Sequence, residues 1–377
     1  MKQGWEIKTI GDVCKVIAGQ SPEGKFYNDN GNGLPFYQGK KEYGEKFIGE
    51  PTTWTTKVTK EAEANDILMS VRAPVGPINF ATQKICIGRG LAAIRATKLI
   101  DKEFLFNFLL KHESEIVGNT GAVFNSINKA QIEAIKIPLP ALPEQQRIVT
   151  ILDEAFTAIA KAKANAEKNL KNAKELFESY LNSTKANKVN LGSLVDIKTG
   201  KLNSNAAVEN GEFPFFTCSR EVYAIDNYAF DLEAILLAGN NASGDFNVKH
   251  YKGKFNAYQR TYVITVNEKE KILYRYLYFQ LLKSLKEFKE MSVGANTRFL
   301  KLGMIQGLNI ALPSIKEQQT IIQKLDALSV ETKKLEAIYH QKINDLEELK
   351  KSILQKAFSG ELRGGEPVEP KTNALAV

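Results

Sequence analysis

The stretch IPLPALPEQQRIVTILD, residues 137–153, decides the architecture of this chain because a close copy of it occurs further along. Residues 310–326 read IALPSIKEQQTIIQKLD, and a constant offset of 173 residues aligns the two stretches. Both contain Glu-Gln-Gln, at residues 144–146 in the first copy and at residues 317–319 in the second. Internal similarity at a fixed spacing is typical of a repeated architecture. The sequence therefore predicts two copies of one structural plan.

The repeat extends upstream of these stretches. Gly121 and Ala122 align with Gly294 and Ala295 at the same offset. The segment IGDVCKVIAG (10–19) resembles LGSLVDIKTG (191–200) at an offset of 181, and the sequences between these anchors diverge. Each copy is therefore interpreted as a variable globular block followed by a conserved helix.

The residues after each Glu-Gln-Gln show a heptad pattern, with apolar or small residues at alternating steps of four and three. The seam positions of the first helix are Ile148, Leu152, Ala155, Ile159, Ala162, Ala166, Asn169, Ala173, Leu176 and Tyr180. Those of the second are Ile321, Leu325, Leu328, Thr332, Leu335, Tyr339, Lys342, Leu346, Leu349 and Ile353.

This pattern predicts two helices of about 60 Å, at 1.5 Å per residue, that keep one register over about five heptads and pack on each other. Asn169 and Lys342 would place polar groups in the seam and fix its register. The alternative is that each helix packs only on its own globular block.

The globular blocks contain short β-rich runs that end near glycine or proline, together with one helical stretch each. The runs are residues 66–71, 85–88, 91–96, 234–239 and 260–266, and the helical stretches are residues 103–117 and 273–291. Strands with a flanking helix predict an α+β fold. We expect globular domains at 1–139 and 186–312, helices at 140–185 and 313–363, and a disordered Gly- and Pro-rich tail at 364–377.

Composition excludes several classes of protein. Of the 377 residues, 43% are hydrophobic and 25% are charged, which is ordinary for globular proteins. The chain has no apolar run long enough to span a membrane and begins without the apolar segment of a secretory signal, so we expect a cytoplasmic protein without membrane partners. Three cysteines and three histidines lie far apart, which argues against a disulfide framework or a zinc site.

The motifs of common catalytic sites are also missing. The sequence has no GxxxxGK[ST] phosphate loop, no GxGxxG loop that opens a helix and no GxSxG elbow. Asp12 with Glu23 and Lys25 forms a loose carboxylate and lysine pattern of the kind that binds magnesium, but the second copy has no equivalent. We therefore expect no catalytic, cofactor-binding or metal-binding residues in this chain.

Features typical of binding are more evident. The net charge is +8, and the excess of basic residues lies in the two globular blocks, where basic and amide side chains stand beside glycine turns and aromatic residues. Such side chains pair with base edges and phosphates of DNA. The residues expected near DNA are Lys40, Lys41, Arg72, Arg89, Arg220, Asn240, Asn241, Lys252, Gln259, Arg260 and Arg298.

The order of these features resembles the specificity subunit of Type I restriction-modification systems over residues 5 to about 363. The motifs that carry the resemblance include DILMSVRAPVG, GRGLAAIR, TGAVFNSINKAQIEAIKIPLPALPEQQRIV, AGNNASGDFNVKHYKGKFNAYQRTYVI and LQKAFSGEL. The resemblance implies two target recognition domains, each of which reads one half of a bipartite sequence in double-stranded DNA. Because the two blocks differ in their central motifs, the target is expected to be asymmetric.

The resemblance also implies partners. The two helices would form an antiparallel coiled coil that sets the spacer and docks two methyltransferase subunits, and restriction and translocase subunits would complete the complex. Residues expected in docking and in the coiled coil are Glu144, Gln145, Gln146, Ile148, Leu152, Glu317, Gln318, Gln319, Ile321 and Leu325. S-adenosylmethionine, ATP and magnesium would bind to the partner subunits, which would methylate adenine N6 and cut DNA, while this chain would bind no cofactor.

Two other functions remain open from the sequence. A self-contained restriction or modification enzyme would cleave or methylate DNA by itself, and the missing motifs argue against it. A coiled-coil scaffold that binds proteins but reads no DNA would show binding that is independent of nucleic acid and of salt.

Overall fold

A computed structural model describes residues 4–118, 126–183 and 186–362 of the chain. The chain forms two compact units, one built from residues 1–165 and 342–377 and the other from residues 166–341. Each unit thus combines one globular block with parts of both long helices. The repeat anchor at Gly121 and the tail at 364–377 lie outside the described residues.

The helices follow the sequence pattern closely. They are α1 (Ile10–Val13), α2 (Lys102–Gly118), α3 (Lys129–Glu133), α4 (Leu142–Asn182), α5 (Tyr274–Lys283), α6 (Leu285–Met291), α7 (Leu302–Gln306) and α8 (Ile315–Ser359). The stretch 273–291, expected to be one helix, is divided into α5 and α6 at Ser284. The Ser284 hydroxyl donates a hydrogen bond to the Gln280 carbonyl oxygen, a local bond that competes with the helical pattern.

In its described residues, the first unit has two sheets and one separate strand pair. Its strands are β1 (Glu6–Thr9), β2 (Cys14–Ala18), β3 (Tyr27–Asn28), β4 (Leu34–Tyr37), β5 (Trp54–Thr55), β6 (Glu61–Ala62), β7 (Ile67–Ser70), β8 (Ile78–Phe80), β9 (Ile85–Ile87), β10 (Leu91–Ala96) and β11 (Lys136–Leu139). The sheet orders are β2-β10-β7-β8, which is antiparallel, and β3-β5-β4-β9-β6, in which β4 and β9 are parallel. β1 pairs with β11 just before α4 begins.

The second unit keeps the antiparallel strand order of the first unit's four-stranded sheet, but its described strands continue that order into a single six-stranded sheet. Its strands are β12 (Lys188–Asn190), β13 (Val195–Thr199), β14 (Phe213–Phe216), β15 (Tyr223–Ile225), β16 (Phe230–Ala238), β17 (Asn240–Asn241), β18 (Val248–Ala257), β19 (Thr261–Val266), β20 (Arg298–Phe299) and β21 (Asn309–Ala311). The sheet has the order β13-β19-β16-β18, continued by β14 and β15, and the separate pairs are β12–β21 and β17–β20. β12–β21 is the counterpart of β1–β11 because each pair precedes a long helix.

Each unit has a core between a sheet and a helix. In the first unit, Phe104 and Leu109 of α2 pack with Ile94 of β10, and all three are fully buried. In the second, Leu277 of α5 packs with Ile264 of β19. The α+β fold predicted from the sequence is confirmed.

The long helices pair within each unit. In the first unit, Leu152 near the start of α4 shares a core with Phe358 at the end of α8, and Lys163 forms an ion pair with Glu347 at 2.5 Å. In the second unit, Leu181 at the end of α4 packs with Leu325 near the start of α8. The start of one helix lies beside the end of the other in both units, so the helices run antiparallel.

The expected seam is wrong at specific positions. Asn169 and Lys342 are exposed, and Leu176 is 61% exposed, whereas Leu170 and Ile343 are half-buried. The buried side thus moves by one residue in both helices, at positions that are again 173 residues apart. A straight α-helix has 3.6 residues per turn, so a strict 3.5-residue repeat drifts around its surface. Asn169 and Lys342 therefore place no polar group in the seam.

Candidate nucleic-acid interface

Gln145, the second residue of the first Glu-Gln-Gln, is fully buried and ties α4 to the globular block. Its Oε1 accepts a hydrogen bond from the Asp101 backbone N–H at 2.8 Å, at the start of α2. Its Nε2 donates to the carbonyl oxygens of Pro140 at 2.8 Å and Leu99 at 3.3 Å. A single side chain thereby joins three backbone groups and fixes where the long helix leaves the block.

Gln318 makes the same bonds in the second unit and is also fully buried. Its Oε1 accepts from the Leu273 N–H at 3.0 Å, just before α5, and its Nε2 donates to the carbonyl oxygens of Lys271 at 2.7 Å and Pro313 at 3.0 Å. The repeated glutamine therefore conserves one structural bond set, and its side chain faces away from solvent.

The other residues expected in docking and in the coiled coil divide into buried and accessible ones. Ile148, Leu152 and Leu325 are buried, and Ile321 is half-buried against the second core. Gln146 and Gln319 are exposed, as is Glu317.

The two glutamates of the repeat make local contacts. Glu144 holds Arg147 through two bonds of 2.7 and 3.0 Å. Glu317 accepts hydrogen bonds from the Ser314 hydroxyl and backbone N–H, and these bonds lower the pKa of its carboxyl. Ser314 and Glu317 together form a cap at the start of α8.

Basic side chains meet at a cleft in the first unit. The cleft has a volume of about 230 Å³ and is formed by the loops that follow β4 and β7 and by the loop that precedes β10. The lining residues are Gln38, Gly39, Lys40, Ser70, Arg72, Ala73, Arg89 and Gly90. Lys40, Arg72 and Arg89, which lie far apart in the sequence, are thus brought together.

Backbone hydrogen bonds hold these three loops in place. The Val71 N–H donates to the Gly90 carbonyl oxygen at 2.9 Å, and the Gly90 N–H donates to the Gln38 carbonyl oxygen at 3.1 Å. A Cβ added at Gly90 would lie 2.3 Å from that same Gln38 oxygen. The close approach of the loops therefore requires glycine at this position.

The charge of this cleft is positive. Lys40, Arg72 and Arg89 are all exposed, and in residues 4–118, 126–183 and 186–362 none of the three forms an ion pair. Lys40 interacts electrostatically with Glu113: burial raises the pKa of the Glu113 carboxyl, and the positive charge of Lys40 opposes that rise. Exposed guanidinium and ammonium groups that are not held in an ion pair are suited to bind an anion such as DNA.

A second cleft, of about 400 Å³, lies in the second unit. Its lining residues are Thr199, Gly239, Gln259, Arg260, Tyr262, Phe299, Leu300, Lys301 and Leu302. The Gly239 N–H donates to the Arg260 carbonyl oxygen at 2.9 Å, and the Leu300 N–H donates to the Gly239 carbonyl oxygen at 2.9 Å. The Arg260 guanidinium carbon lies 5.1 Å from the centre of the Phe299 ring, a cation–π contact.

The two clefts occupy the same place in the two copies. In the first unit the Ile127 N–H donates to the Val71 carbonyl oxygen at 3.0 Å, as Leu300 does to Gly239 in the second. Ile127 and Leu300 are 173 residues apart, which is the repeat offset. Val71 therefore corresponds to Gly239. The N–H of each donates to the loop that precedes β10 or β19, and the carbonyl oxygen of each accepts from Ile127 or Leu300.

Two of the other residues expected to contact DNA, Asn241 and Arg298, form side-chain hydrogen bonds within the protein. The Asn241 Oδ1 accepts from the backbone N–H groups of Ser243 and Asp245 and so shapes its own loop. The Arg298 guanidinium donates to the Ser292 hydroxyl and to the carbonyl oxygens of Lys289 and Ser292.

The remaining expected residues are more dispersed. Arg220 forms an ion pair with Asp245 at 2.6 Å, and Lys252 lies 3.8 Å from Glu233 on β16. Neither is among the residues that line the two clefts. Lys41 is exposed next to Lys40, and Asn240 is half-buried in β17 opposite Phe299.

Gln38 and Lys301 line the clefts but were not singled out from the sequence. Lys301 could have been found through the repeat, because it lies 173 residues after Asn128, and Asn128 caps α3 next to the Ser126–Ile127 segment that bonds Arg72 and Val71. Gln38 follows a strand and precedes glycine, as many loop residues do, so its sequence context carries no comparable signal.

The described residues contain no group of three or more His, Cys, Asp or Glu placed to hold a metal ion. Of the loose carboxylate pattern, Asp12 accepts hydrogen bonds from Thr9, and Glu23 pairs with Lys25 at 2.7 Å. Among the described helices, none has the length and apolar character needed to cross a membrane.

Comparisons with known proteins agree with this repeated plan. The family model for a Type I restriction modification DNA specificity domain matches residues 2–170 and 184–348. The specificity subunit of the Type I restriction enzyme EcoDI from Escherichia coli is 42% identical over 46% of this chain, and the match spans only 38% of that subunit. The MjaIX specificity subunit of Methanocaldococcus jannaschii is 25% identical over 95% of this chain and 94% of its own length.

Two solved structures have the same fold. One is from a study of complex assembly and conformational transition of a Type I R-M system, with a TM-score of 0.79 at 18% identity over 96% of this chain and 99% of that chain. The other is the HsdS subunit from Thermoanaerobacter tengcongensis, with a TM-score of 0.57 at 17% identity over 96% of this chain and 98% of that chain.

Proposed function

Because the chain belongs to the family of Type I restriction modification DNA specificity domains, we propose that it selects the DNA target of a Type I restriction-modification complex. Each globular block reads one half of a bipartite sequence in double-stranded DNA, and its cleft is the reading surface. The chain itself is not catalytic. It distinguishes the target DNA sequence from other sequences, and partner subunits carry out methylation and restriction.

The observation that carries this proposal is the pair of clefts at equivalent places in the two copies. The first presents Lys40, Arg72 and Arg89, whereas the second presents Gln259, Arg260 and Lys301. These side-chain types contact bases and phosphates in protein–DNA complexes. Because the two sets differ, the two half-sites differ and the target is asymmetric.

The helix pair has a separate role in this proposal. It sets the spacer between the half-sites and docks two methyltransferase subunits, with Gln146 and Gln319 as accessible residues of the repeated segment. Restriction and translocase subunits complete the complex. S-adenosylmethionine, ATP and magnesium bind to those partners, which methylate adenine N6 after flipping the base into their own pocket.

A selection experiment tests DNA reading by this chain. The full-length protein is incubated with duplexes that carry a randomised central region, and bound duplexes are sequenced over several rounds. We expect two short conserved half-sites separated by a spacer of constant length and variable sequence. Each mismatched base pair should weaken binding by about 1–3 kcal/mol.

The same preparation distinguishes the scaffold alternative. Binding of the selected duplex should weaken steeply as salt rises, because contacts to phosphates release bound counterions. A chain that enriches no sequence, and whose weak DNA binding is indifferent to salt, would be a protein scaffold and not a DNA reader.

A further inference from the structure

The backbone bonds that frame the two clefts give a residue-by-residue correspondence. The Val71 N–H donates to the Gly90 carbonyl oxygen, and the Gly239 N–H donates to the Arg260 carbonyl oxygen. The residue after the donor is Arg72 in the first unit and Asn240 in the second. A separate pairing agrees with this, because Arg72 bridges Ser126 and Asn240 pairs with Phe299, 173 residues later.

The same alignment extends to the residue before the acceptor. Gly90 corresponds to Arg260, so Arg89 in the first unit corresponds to Gln259 in the second. The two copies therefore differ in a consistent way at two matched positions. Arg72, Arg89 and Gln259 line the clefts, and Asn240 follows the lining residue Gly239. The first copy has guanidinium groups at both, and the second copy has carboxamide groups at both.

These two kinds of side chain recognise different bases. The guanidinium fork donates two hydrogen bonds to O6 and N7 of guanine, whereas a carboxamide accepts from N6 and donates to N7 of adenine. We propose, resting on the proposed function, that the matched pairs 72/240 and 89/259 select the bases. The first block then requires guanine at the base pairs these residues face, and the second block requires adenine.

The surroundings of these side chains support base reading. Arg72, Arg89 and Gln259 are exposed, and no ion pair within the described ranges holds either arginine. Gln259 donates one amide hydrogen to the Asn203 Oδ1 at 2.7 Å. That bond leaves one N–H and the carbonyl oxygen of Gln259 available, which is the donor and acceptor pair that adenine needs.

Other groups remain for the phosphates. Lys40 stands in the first cleft, and Lys301 and Arg260 stand in the second. The Arg298 guanidinium and the Asn241 Oδ1, by contrast, form hydrogen bonds within the protein. The division of labour therefore assigns selectivity to the matched positions and sequence-independent attraction to the lysines and Arg260.

Exchange of side chains between matched positions tests the inference. Arg89→Gln and the reciprocal Gln259→Arg are made in the full-length chain, and each variant is taken through the duplex selection beside the parent. Arg89→Gln should replace one guanine by adenine in one half-site and weaken binding of the parent's sequence about 5- to 150-fold, the range expected for one bidentate base contact. Gln259→Arg should replace adenine by guanine in the other half-site.

Two controls separate base reading from charge. Arg89→Lys should keep the guanine, because lysine also donates to guanine O6 and N7. Lys98→Gln removes the same charge as Arg89→Gln from an exposed position of the first block that lies outside the cleft lining, and should leave both half-sites unchanged. All four substitutions are at exposed positions, and an unchanged melting temperature shows that each variant is folded.

The outcomes distinguish this inference from the function on which it rests. A parent that selects two half-sites, together with Arg89→Gln and Gln259→Arg variants that select the same bases as the parent, overturns the inference and leaves the proposed function standing. A parent that selects no sequence overturns both. A base exchange confined to the half-site of the altered block supports both.

Discussion

Replacement of Gln145 by alanine should destabilise the first unit by about 3 kcal/mol. The substitution removes three hydrogen bonds, each of which contributes about 1 kcal/mol net. The cost of the unpaired groups, counted in place of those bonds, is the same. The Pro140 carbonyl oxygen and the Asp101 N–H are left without partners, and at about 1.5 kcal/mol for each stranded group this also gives about 3 kcal/mol. The Leu99 carbonyl oxygen should regain water, because Leu99 is 58% exposed.

Hydrogen exchange is the most direct assay, because the chain has two units and urea unfolding need not be two-state. The Asp101 amide, which donates to Gln145, should lose about 100-fold of its protection, as a factor of ten corresponds to about 1.4 kcal/mol. The urea midpoint of the first unit should fall as well. Gln318→Ala should do the same to the Leu273 amide in the second unit.

Gln146→Ala is the matched control because Gln146 is the exposed neighbour of Gln145. It should change stability by no more than about 0.5 kcal/mol. If Gln145→Ala left the exchange of Asp101 and the urea midpoint where Gln146→Ala leaves them, the buried glutamine would not anchor the helix, and the structural reading of the repeat would be refuted.

Three further results are expected. Gly90→Ala should lower both melting temperature and DNA affinity, because its Cβ would meet the Gln38 oxygen at 2.3 Å. Gly24→Ala, outside the cleft lining, meets nothing within 4 Å and should lower neither. In native protein at about pH 8, Cys218 should react with a thiol reagent well before Cys14, because Cys14 is buried and burial raises its pKa to about 12. Mass spectrometry of labelled peptides measures both rates, and equal rates would contradict this. The ionised Glu317 cap contributes stability above the ordinary carboxyl pKa of 4.5, and this contribution is lost as pH falls through the lowered pKa of the folded state. Glu317→Gln should therefore lose less stability than the parent between about pH 6 and pH 3. If urea unfolding showed the same loss of stability for both proteins, the cap would contribute nothing.

The sequence predicted the repeated plan because the repeat is written in residues that do one job twice. Gln145 and Gln318 each bond one backbone N–H and two backbone carbonyl oxygens, so both copies retain them. The β-rich runs 66–71 and 91–96 were likewise evident, since runs of mostly apolar residues stand between turn residues. Short strands such as β17 and β20 escaped prediction because two residues show no periodicity.

The seam could be predicted only in part. A heptad pattern reads the helix as if it had 3.5 residues per turn, and over 41 residues the difference from 3.6 moves the buried side by one residue. Leu170 and Ile343 were therefore missed, and Asn169 and Lys342 were placed in the seam wrongly.

The candidate site was predictable as a set of side-chain types but not as an arrangement. Arg72 and Arg89 were expected near DNA because of their chemistry beside glycine turns. Their meeting in one cleft depends on the Val71–Gly90 backbone bond, which joins loops distant in sequence. The correspondence of Arg89 with Gln259 also required the structure, because the two blocks differ in length and sequence between their anchors.

The central claim is that each globular block reads its own half of one target. Single-molecule sequencing of methylated adenines, in a host that carries the partner subunits, tests it directly. The parent chain should give one bipartite motif, and exchange of residues 1–139 for the block of a relative should change one half of that motif and leave the other half unchanged. Methylation at a single continuous motif, or a change of both halves after exchange of one block, would contradict the account.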